Sequence, residues 1–487
     1  MHVLVVGGGI GGLASALLLG RSGHTVTVVE QDALAPAPDV ETAFATDRRG
    51  APQASHTHGF LARLVRELKQ RLPDVHAELL AAGSVPMPLT RGFADVRPGD
   101  EDLTLLAMRR STVEWVLRRR AAAEPTVELC SGIGVTGLQV LDADSTNSTE
   151  STEDGPPMVT GIALEGGGAL GADLVVLATG RRGPVPAWLA AVGVDVAEEV
   201  HESGLVYLTR WYRRPGGFAL GGEAKAGGDH GFLKYLAIPG DGEVASVTLA
   251  VRSSDAEMRA LLADADRFDL TAGLFEGARA LFDQGDVEPV TDVLRMGGLI
   301  NRRRRFLRPD GRPAVLGLHV VGDAHTCTNP LYGRGCSLAV VQAGLLADTV
   351  ATHSEPTATH ADARARDYEA GCAREVEPWF EISVQADAMG ADPNGRAIRE
   401  AGTDAIADSA AHDANKAIAR IFAAGGQDPI VGRGLMRLMN LLTTPSELMA
   451  DPEFLAQAMT ILGDPETYPV PPAPLGPDRD ELLDVLS

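Results

Sequence analysis

An α/β fold with a Rossmann-type core is predicted for this 487-residue chain by three observations. Residues 2–30, HVLVVGGGIGGLASALLLGRSGHTVTVVE, read as a strand from His2 to Val6, the turn Gly7-x-Gly9-x-x-Gly12, an Ala/Leu helix, and a second strand ending in Glu30. Residues 319–348, HVVGDAHTCTNPLYGRGCSLAVVQAGLLAD, read as a strand delivering Gly322-Asp323, a loop carrying Pro330, Gly333 and Gly335, and an apolar-periodic helix from about Cys336. Between them, residues 198–290 hold short β-like runs. The predicted architecture is a discontinuous domain, 1–195 with 292–355, interrupted by a β-sheet lobe at 196–291. A helical region, 356–487, follows with a Pro-rich tail.

The first unit carries its chemistry in its spacing. Gly7 makes the tight turn, Gly9 admits a pyrophosphate to the backbone, Gly12 lets helix pack on strand, and Glu30 accepts from a ribose diol. An acid at the second strand end disfavours a 2'-phosphate and favours FAD or NAD.

A polar, Pro-bearing loop from Gln31 to Ser55 comes next, then His56-Thr57-His58 at the start of a helix with apolar residues from Phe60 to Leu72. The two histidines at i,i+2 do not share a helical face and lack further ligands, so no metal is expected. Arg48 and Arg49 read either as a solvated loop or as cofactor-phosphate contacts. Ser111 is the expected N-cap of the helix TVEWVLRRRAA, and Arg110 just before it reads either as a surface arginine or as one that reaches a pyrophosphate or flavin edge.

Strands follow through Val127–Val140 and Met158–Leu177, broken by the polar stretch 143–157, whose Asn147 sequon has no meaning without secretion. The last strand runs into Ala178-Thr179-Gly180, a small-residue turn where a cofactor can approach. In the 196–291 lobe, Tyr207, Trp211, Tyr212, Phe232 and Tyr235 are expected in the core, with a helical insertion at 256–283. The run Arg302–Arg305, just ahead of a Pro-Asp-Gly turn, reads as a solvated edge. The tail YPVPPAPLGPDRD reads as an extended surface arm.

The 319–348 stretch is a cofactor clamp. A strand-end carboxylate accepts from sugar or ribityl hydroxyls, and the helix N-terminus offers free N–H groups to an electron-rich ring edge.

Composition limits the partners. A net charge of -23 argues against nucleic acid and anionic membranes, and no apolar stretch reads as a membrane span. Four cysteines without CxxC spacing are too sparse for a disulfide framework, which points to a cytoplasmic protein with free thiols.

In order and content, the N-terminal fingerprint, Arg110-x-x-Val113-x-x-x-Leu117, the turn after Val176, and Gly322-Asp323 with Pro330 and Gly335 resemble the FAD-dependent monooxygenases of the aromatic hydroxylase fold. The segments RRGAPQASHTHGFL and NPLYGRGCSLA look most like the bacterial polyketide and terpenoid epoxidase branch, which is similar to squalene epoxidase.

The resemblance implies oxygen transfer from O2 to a hydrophobic small molecule through a flavin C4a-hydroperoxide, with electrons from NAD(P)H or a separate flavin reductase. It implies that Arg110 approaches the flavin, that Asp323 binds the ribityl chain, and that Pro330, Gly333, Gly335, Cys336 and Ser337 line the ring. Arg49, Gln53 and His58 are expected on a mobile loop opposite, with Arg49, His58 and Pro330 as flavin-edge candidates.

Three departures stand out. Thr179-Gly180 replaces the family's Asp-Gly, which puts direct NAD(P)H reduction in doubt. His325 lies two rather than three residues beyond Asp323, and Ser337 replaces an asparagine. The halogenase motif W-x-W-x-I-P is absent, since Lys234–Pro239 keeps only Ile238-Pro239. The alternatives are a FAD-dependent dehydrogenase or reductase on the same scaffold, and a flavin-binding protein without turnover.

Overall fold

The computed structural model describes residues 1–141, 155–219, 226–391, 416–470 and 476–486. The polar stretch around Asn147 therefore falls largely outside them, as does part of the Pro-rich tail.

The core is a five-stranded parallel sheet in the order Leu318–Val320, Leu174–Leu177, His2–Val6, Thr25–Glu30, Val127–Ser131. Its central strands are apolar along their length because both faces are covered. Val3 and Val5 point to one face, where the helices Ile10–Arg21 and Gly335–Thr352 pack together. Leu4 and Val6 point to the other, against the antiparallel strands Val135–Val140, Val159–Leu164 and Ala169–Gly171 and the short helix Val185–Ala191. Helix Gly335–Thr352 is long and apolar enough to cross a membrane by length and composition, yet most of it is buried inside the fold. The two stretches that predicted the fold thus end side by side at the carboxyl edge of one sheet, where open α/β sheets place their ligands.

The inserted lobe is a six-stranded antiparallel sheet centred on Leu205–Arg213 and Val244–Arg252. Helices Ala256–Leu261, Ala265–Gly273 and Glu276–Phe282 cover one face, and Tyr207, Trp211, Tyr212 and Tyr235 are buried as expected. Strand Leu294–Met296 pairs with Leu205–Arg213, and Ile300–Arg305 pairs with Ala197–Glu202, so the boundary at residue 291 cuts through paired strands.

Three local expectations are corrected. Arg302, Arg303 and Arg304 are buried rather than a solvated edge, because carboxylates from distant segments, Glu198, Glu199, Glu377 and Glu381, meet them. The Gln31–Ser55 loop contains the helix Val40–Ala45, capped by the Asp39 side chain. Ser111 is not an N-cap. Helix Arg110–Ala123 starts after Arg109, whose N–H donates to the buried Asp241 carboxylate at 2.5 Å, so the cap comes from the inserted lobe. The stretch read as an extended arm lies partly outside the described residues, and the helix Arg479–Leu486 that follows it contributes Leu482 and Leu486 to the inserted lobe's core.

Candidate functional site

A cavity of about 310 Å³ is lined by Gly7, Gly9 and Glu30 from one end of the chain and by Gly322, Asp323, Pro330, Gly333, Gly335 and Cys336 from the other. The sequence-predicted halves are one site.

The three fingerprint glycines divide as their spacing implies. Gly7 has φ 109°, and a Cβ there would run into the carbonyl oxygen of Ala178. A Cβ on Gly12 would run into the carbonyl oxygen of Gly7, which is where helix packs on strand. A Cβ on Gly9 would meet only Glu114 Oε1, at 4.0 Å, so its space is open toward the cavity. That opening is the cradle a pyrophosphate needs.

At the far end of the strand, Glu30 Oε2 accepts from the Gly8 N–H at 2.8 Å and Oε1 from the Asp32 N–H at 2.9 Å. The carboxylate is thereby fixed at the cavity wall, with lone pairs remaining for a diol.

Asp323 behaves differently. Its carboxylate accepts no hydrogen bond from any described residue, and burial raises its pKa against the opposing pull of Arg110, Arg181 and Arg302. An unsatisfied carboxylate in a cavity wall fits a ligand hydroxyl. The residues present therefore fit FAD: an open glycine for the pyrophosphate, an acid at each end for ribose and ribityl, and the N-terminus of helix Gly335–Thr352 beside them.

The opposing wall is a buried charge network. Arg110 Nε donates to Glu114 at 2.9 Å, and Arg48 lies against Glu114, Asp32 and Glu30. Burial opposes the charge on Glu114, but Arg110 and Arg48 win and hold its pKa below the ordinary value.

The His58 Nδ1 contacts the His56 carbonyl oxygen at 2.9 Å, and since a carbonyl only accepts, that nitrogen carries the proton. Its Nε2 then faces Arg110 at 3.5 Å as an acceptor. Burial and Arg110 lower the His58 pKa to about 3, so the ring is neutral. Gly333, with φ 64°, approaches Gly59, and this brings the His58 segment to the Pro330 loop.

The other expected residues divide. His58, Pro330, Gly333, Gly335 and Cys336 line the cavity, and burial pushes the Cys336 thiol up to about 11, so it is a neutral wall group. Arg49 reaches the rim but is 90% exposed and pairs with Asp47 at 3.5 Å; its neighbour Arg48 is the one turned inward. Ser337 is buried with an unpartnered hydroxyl and is not among the lining residues. His56 and His58 precede the helix Ala62–Arg71 instead of starting it. Sequence reasoning missed Met296, which brings the inserted lobe into the wall, and of the two loop arginines it favoured Arg49 over Arg48, which nothing in the pattern separates from it. Among the described residues, no group of three or more His, Cys, Asp or Glu side chains could hold a metal ion.

Residues 5–37 match a family described as an NAD(P)-binding Rossmann-like domain. The chain is 29% identical over 377 residues to protein Rv3254 of Mycobacterium tuberculosis, covering 71% of this chain and 72% of that protein. Among solved structures it is similar to p-nitrophenol 4-monooxygenase PnpA from Pseudomonas putida, with TM-score 0.57, 18% identity, and coverage of 90% and 98% of the two chains. It is also similar to PqsL, a probable FAD-dependent monooxygenase from Pseudomonas aeruginosa, with TM-score 0.51, 19% identity, and coverage of 80% and 100%. The chain has the fold of FAD-dependent monooxygenases.

Proposed function

We propose that this protein is an FAD-dependent monooxygenase that places one oxygen atom from O2 on a hydrophobic small molecule, by hydroxylation or epoxidation. NAD(P)H supplies the electrons, directly or through a separate flavin reductase. The observation that carries this reading is the single cavity lined by the open Gly9, by Glu30 and by Asp323, whose carboxylate no described residue satisfies, with Met296 of the inserted lobe also in its wall.

Bound flavin would supply the activation of O2. The chain's own residues hold, orient and exclude water. Gly9 and the N-terminus of helix Ile10–Arg21 would hold the pyrophosphate, Glu30 the adenosine ribose and Asp323 the ribityl hydroxyls. His58 is neutral and the Cys336 thiol protonated, so neither competes as a charged nucleophile near the ring. Met296 and Trp188 supply apolar wall for a hydrophobic substrate. The motifs RRGAPQASHTHGFL and NPLYGRGCSLA favour a polyketide- or terpenoid-like natural product, with epoxidation of an alkene as the preferred reaction.

The test is reconstitution with FAD, reduction by NADPH or dithionite, and exposure to 18O2 with a panel of arenes and terpenoid alkenes. The expected product carries one 18O atom. Turnover without O2, with an artificial electron acceptor and no isotope in the product, would replace this reading with the dehydrogenase one. A protein that does not retain FAD would remove both.

A further inference from the structure

The loop from Asn329 to Cys336 splits its residues between two tasks. Pro330, Gly333, Gly335 and Cys336 line the cavity, whereas Asn329, Leu331, Tyr332 and Arg334 do not. The side chains of Asn329, Tyr332 and Arg334 turn instead to the helix Glu377–Ala391, in the region whose sequence carries no assignable motif.

Asp387 is the centre of that contact. Its Oδ1 accepts from Asn329 Nδ2 at 2.8 Å and from the Tyr332 hydroxyl at 2.8 Å, and its Oδ2 accepts from Asn301 Nδ2 at 2.7 Å. Asn301 Oδ1 in turn accepts from the Asn329 N–H at 2.8 Å, and Asn329 Oδ1 takes the Tyr207 hydroxyl at 2.6 Å and the Leu331 N–H at 3.1 Å. One turn earlier on the same helix, Arg334 donates to Ser383 Oγ and to the Trp379 carbonyl oxygen, while its guanidinium lies 4.6 Å from the Tyr332 ring centroid. Trp379, Ser383 and Asp387 are spaced by four residues and so present one stripe to the loop.

A carboxylate taking three neutral donors makes charge-assisted bonds, stronger and more directional than amide pairs. The helix itself is held by Arg303, which donates to Glu377 and Glu381 at 2.8 Å each and stacks over Phe380 at 4.6 Å.

We propose that Asp387 is a positioning residue for the flavin site. Through Asn329 and Tyr332 it holds the loop so that Pro330, Gly333, Gly335 and the start of helix Gly335–Thr352 face the cofactor. The C-terminal region thereby has a role at the cofactor site although, among the described residues, no side chain beyond 355 lines the cavity. The inference rests on the FAD reading above.

Asp387→Asn keeps the shape but must turn its amide donor either toward Asn329 and Tyr332 or toward Asn301, so one side of the contact loses its acceptor. The swap Asp387→Asn with Asn329→Asp restores every bond. The amide introduced at position 387 can then donate to the carboxylate introduced at position 329 and to the Tyr332 oxygen, and still accept from Asn301. FAD titration followed by flavin fluorescence, with the visible flavin spectrum as second readout, should show Kd raised about tenfold or more in Asp387→Asn. The flavin bands should be altered in the single variant, and both readouts should return toward wild type in the swap. Tyr332→Phe removes one donor without adding a clash and should raise Kd by about threefold, which keeps the test open if Asp387→Asn fails to fold.

Wild-type Kd and spectrum in Asp387→Asn or, should that variant not fold, in Tyr332→Phe overturn the proposal, as does a swap no better than the single variant. A wild-type protein that takes up no FAD refutes the functional reading itself, a result separable from any of these.

Discussion

Replacing Gly9 and Gly12 in turn by alanine separates the cofactor from the fold. At Gly9 the backbone has φ -84° and ψ -174°, extended values open to any residue, and the added Cβ meets nothing closer than 4.0 Å. The apoprotein should therefore gain about 0.4–1 kcal/mol from reduced freedom of the unfolded chain. The same methyl occupies the space in which a pyrophosphate would approach the backbone. Losing one charge-assisted hydrogen bond there costs about 1.5–3 kcal/mol, which is roughly a 10- to 100-fold rise in the FAD Kd.

At Gly12 the reverse holds. The Cβ overlaps the Gly7 carbonyl oxygen and lies 3.2 Å from Ala178 Cβ, so helix Ile10–Arg21 must lift from the sheet. Overpacking of this kind destabilises by about 1–3 kcal/mol even before ligand is added. Urea denaturation of the apoproteins and FAD titration of each variant measure the two quantities independently. If Gly9→Ala loses stability, or binds FAD as tightly as wild type, the open space at Gly9 is not the pyrophosphate cradle.

Three further outcomes follow from the same geometry. Asp323→Asn removes a buried charge that no described residue satisfies, so apoprotein stability should hold or rise while FAD affinity falls; a drop in apoprotein stability would show that the carboxylate serves the fold. Arg303→Met, which removes the cation shared by three carboxylates of which Glu199 and Glu381 are about half exposed and so screened, should cost about 1–2 kcal/mol in urea denaturation, and a change below about 0.5 kcal/mol would restore the solvated-edge reading. Burial lowers the pKa of His56 from 6.5 to about 4 and, with Arg364 and His325, that of His319 to about 3. Both rings stay neutral in the folded state while the unfolded chain takes up protons below pH 6.5, so stability falls as pH drops from 6.5 toward 4. Each contributes a slope of about 1.4 kcal/mol per pH unit, and His319→Gln should reduce the measured slope by that amount; an unchanged slope would mean that His319 is not buried neutral.

What is legible in the sequence shares one property: the physical demand is met by residues close in the chain. Gly7, Gly9 and Gly12 answer to a turn, a ligand approach and a helix contact all within one strand-helix unit, and Asp323 with Pro330 to Gly335 does the same at the second unit. The parallel character of the core sheet is legible too, because a central strand whose two faces are covered is apolar along its length, as at Val3–Val6 and Leu174–Leu177.

The misread elements have partners far away. Ser111 looks like a cap because the one that serves, Asp241, comes from the inserted lobe. Arg302–Arg304 look solvated because their carboxylates lie near residues 198 and 380, and an arginine's burial is decided by whether its partners arrive. Arg48 and Arg49 are chemically identical neighbours, and only the placement of Glu30, Asp32 and Glu114 turns one inward.

The flavin-edge loop unites both cases. Its cavity-facing residues stand out as a Pro and Gly pattern, while Asn329, Tyr332 and Arg334 look like ordinary loop polarity until helix Glu377–Ala391 supplies Asp387 and Ser383. A motif shows which atoms meet the ligand; the groups that hold the motif rigid belong to the tertiary structure, and the cost of moving Asp387 is where that distinction becomes measurable.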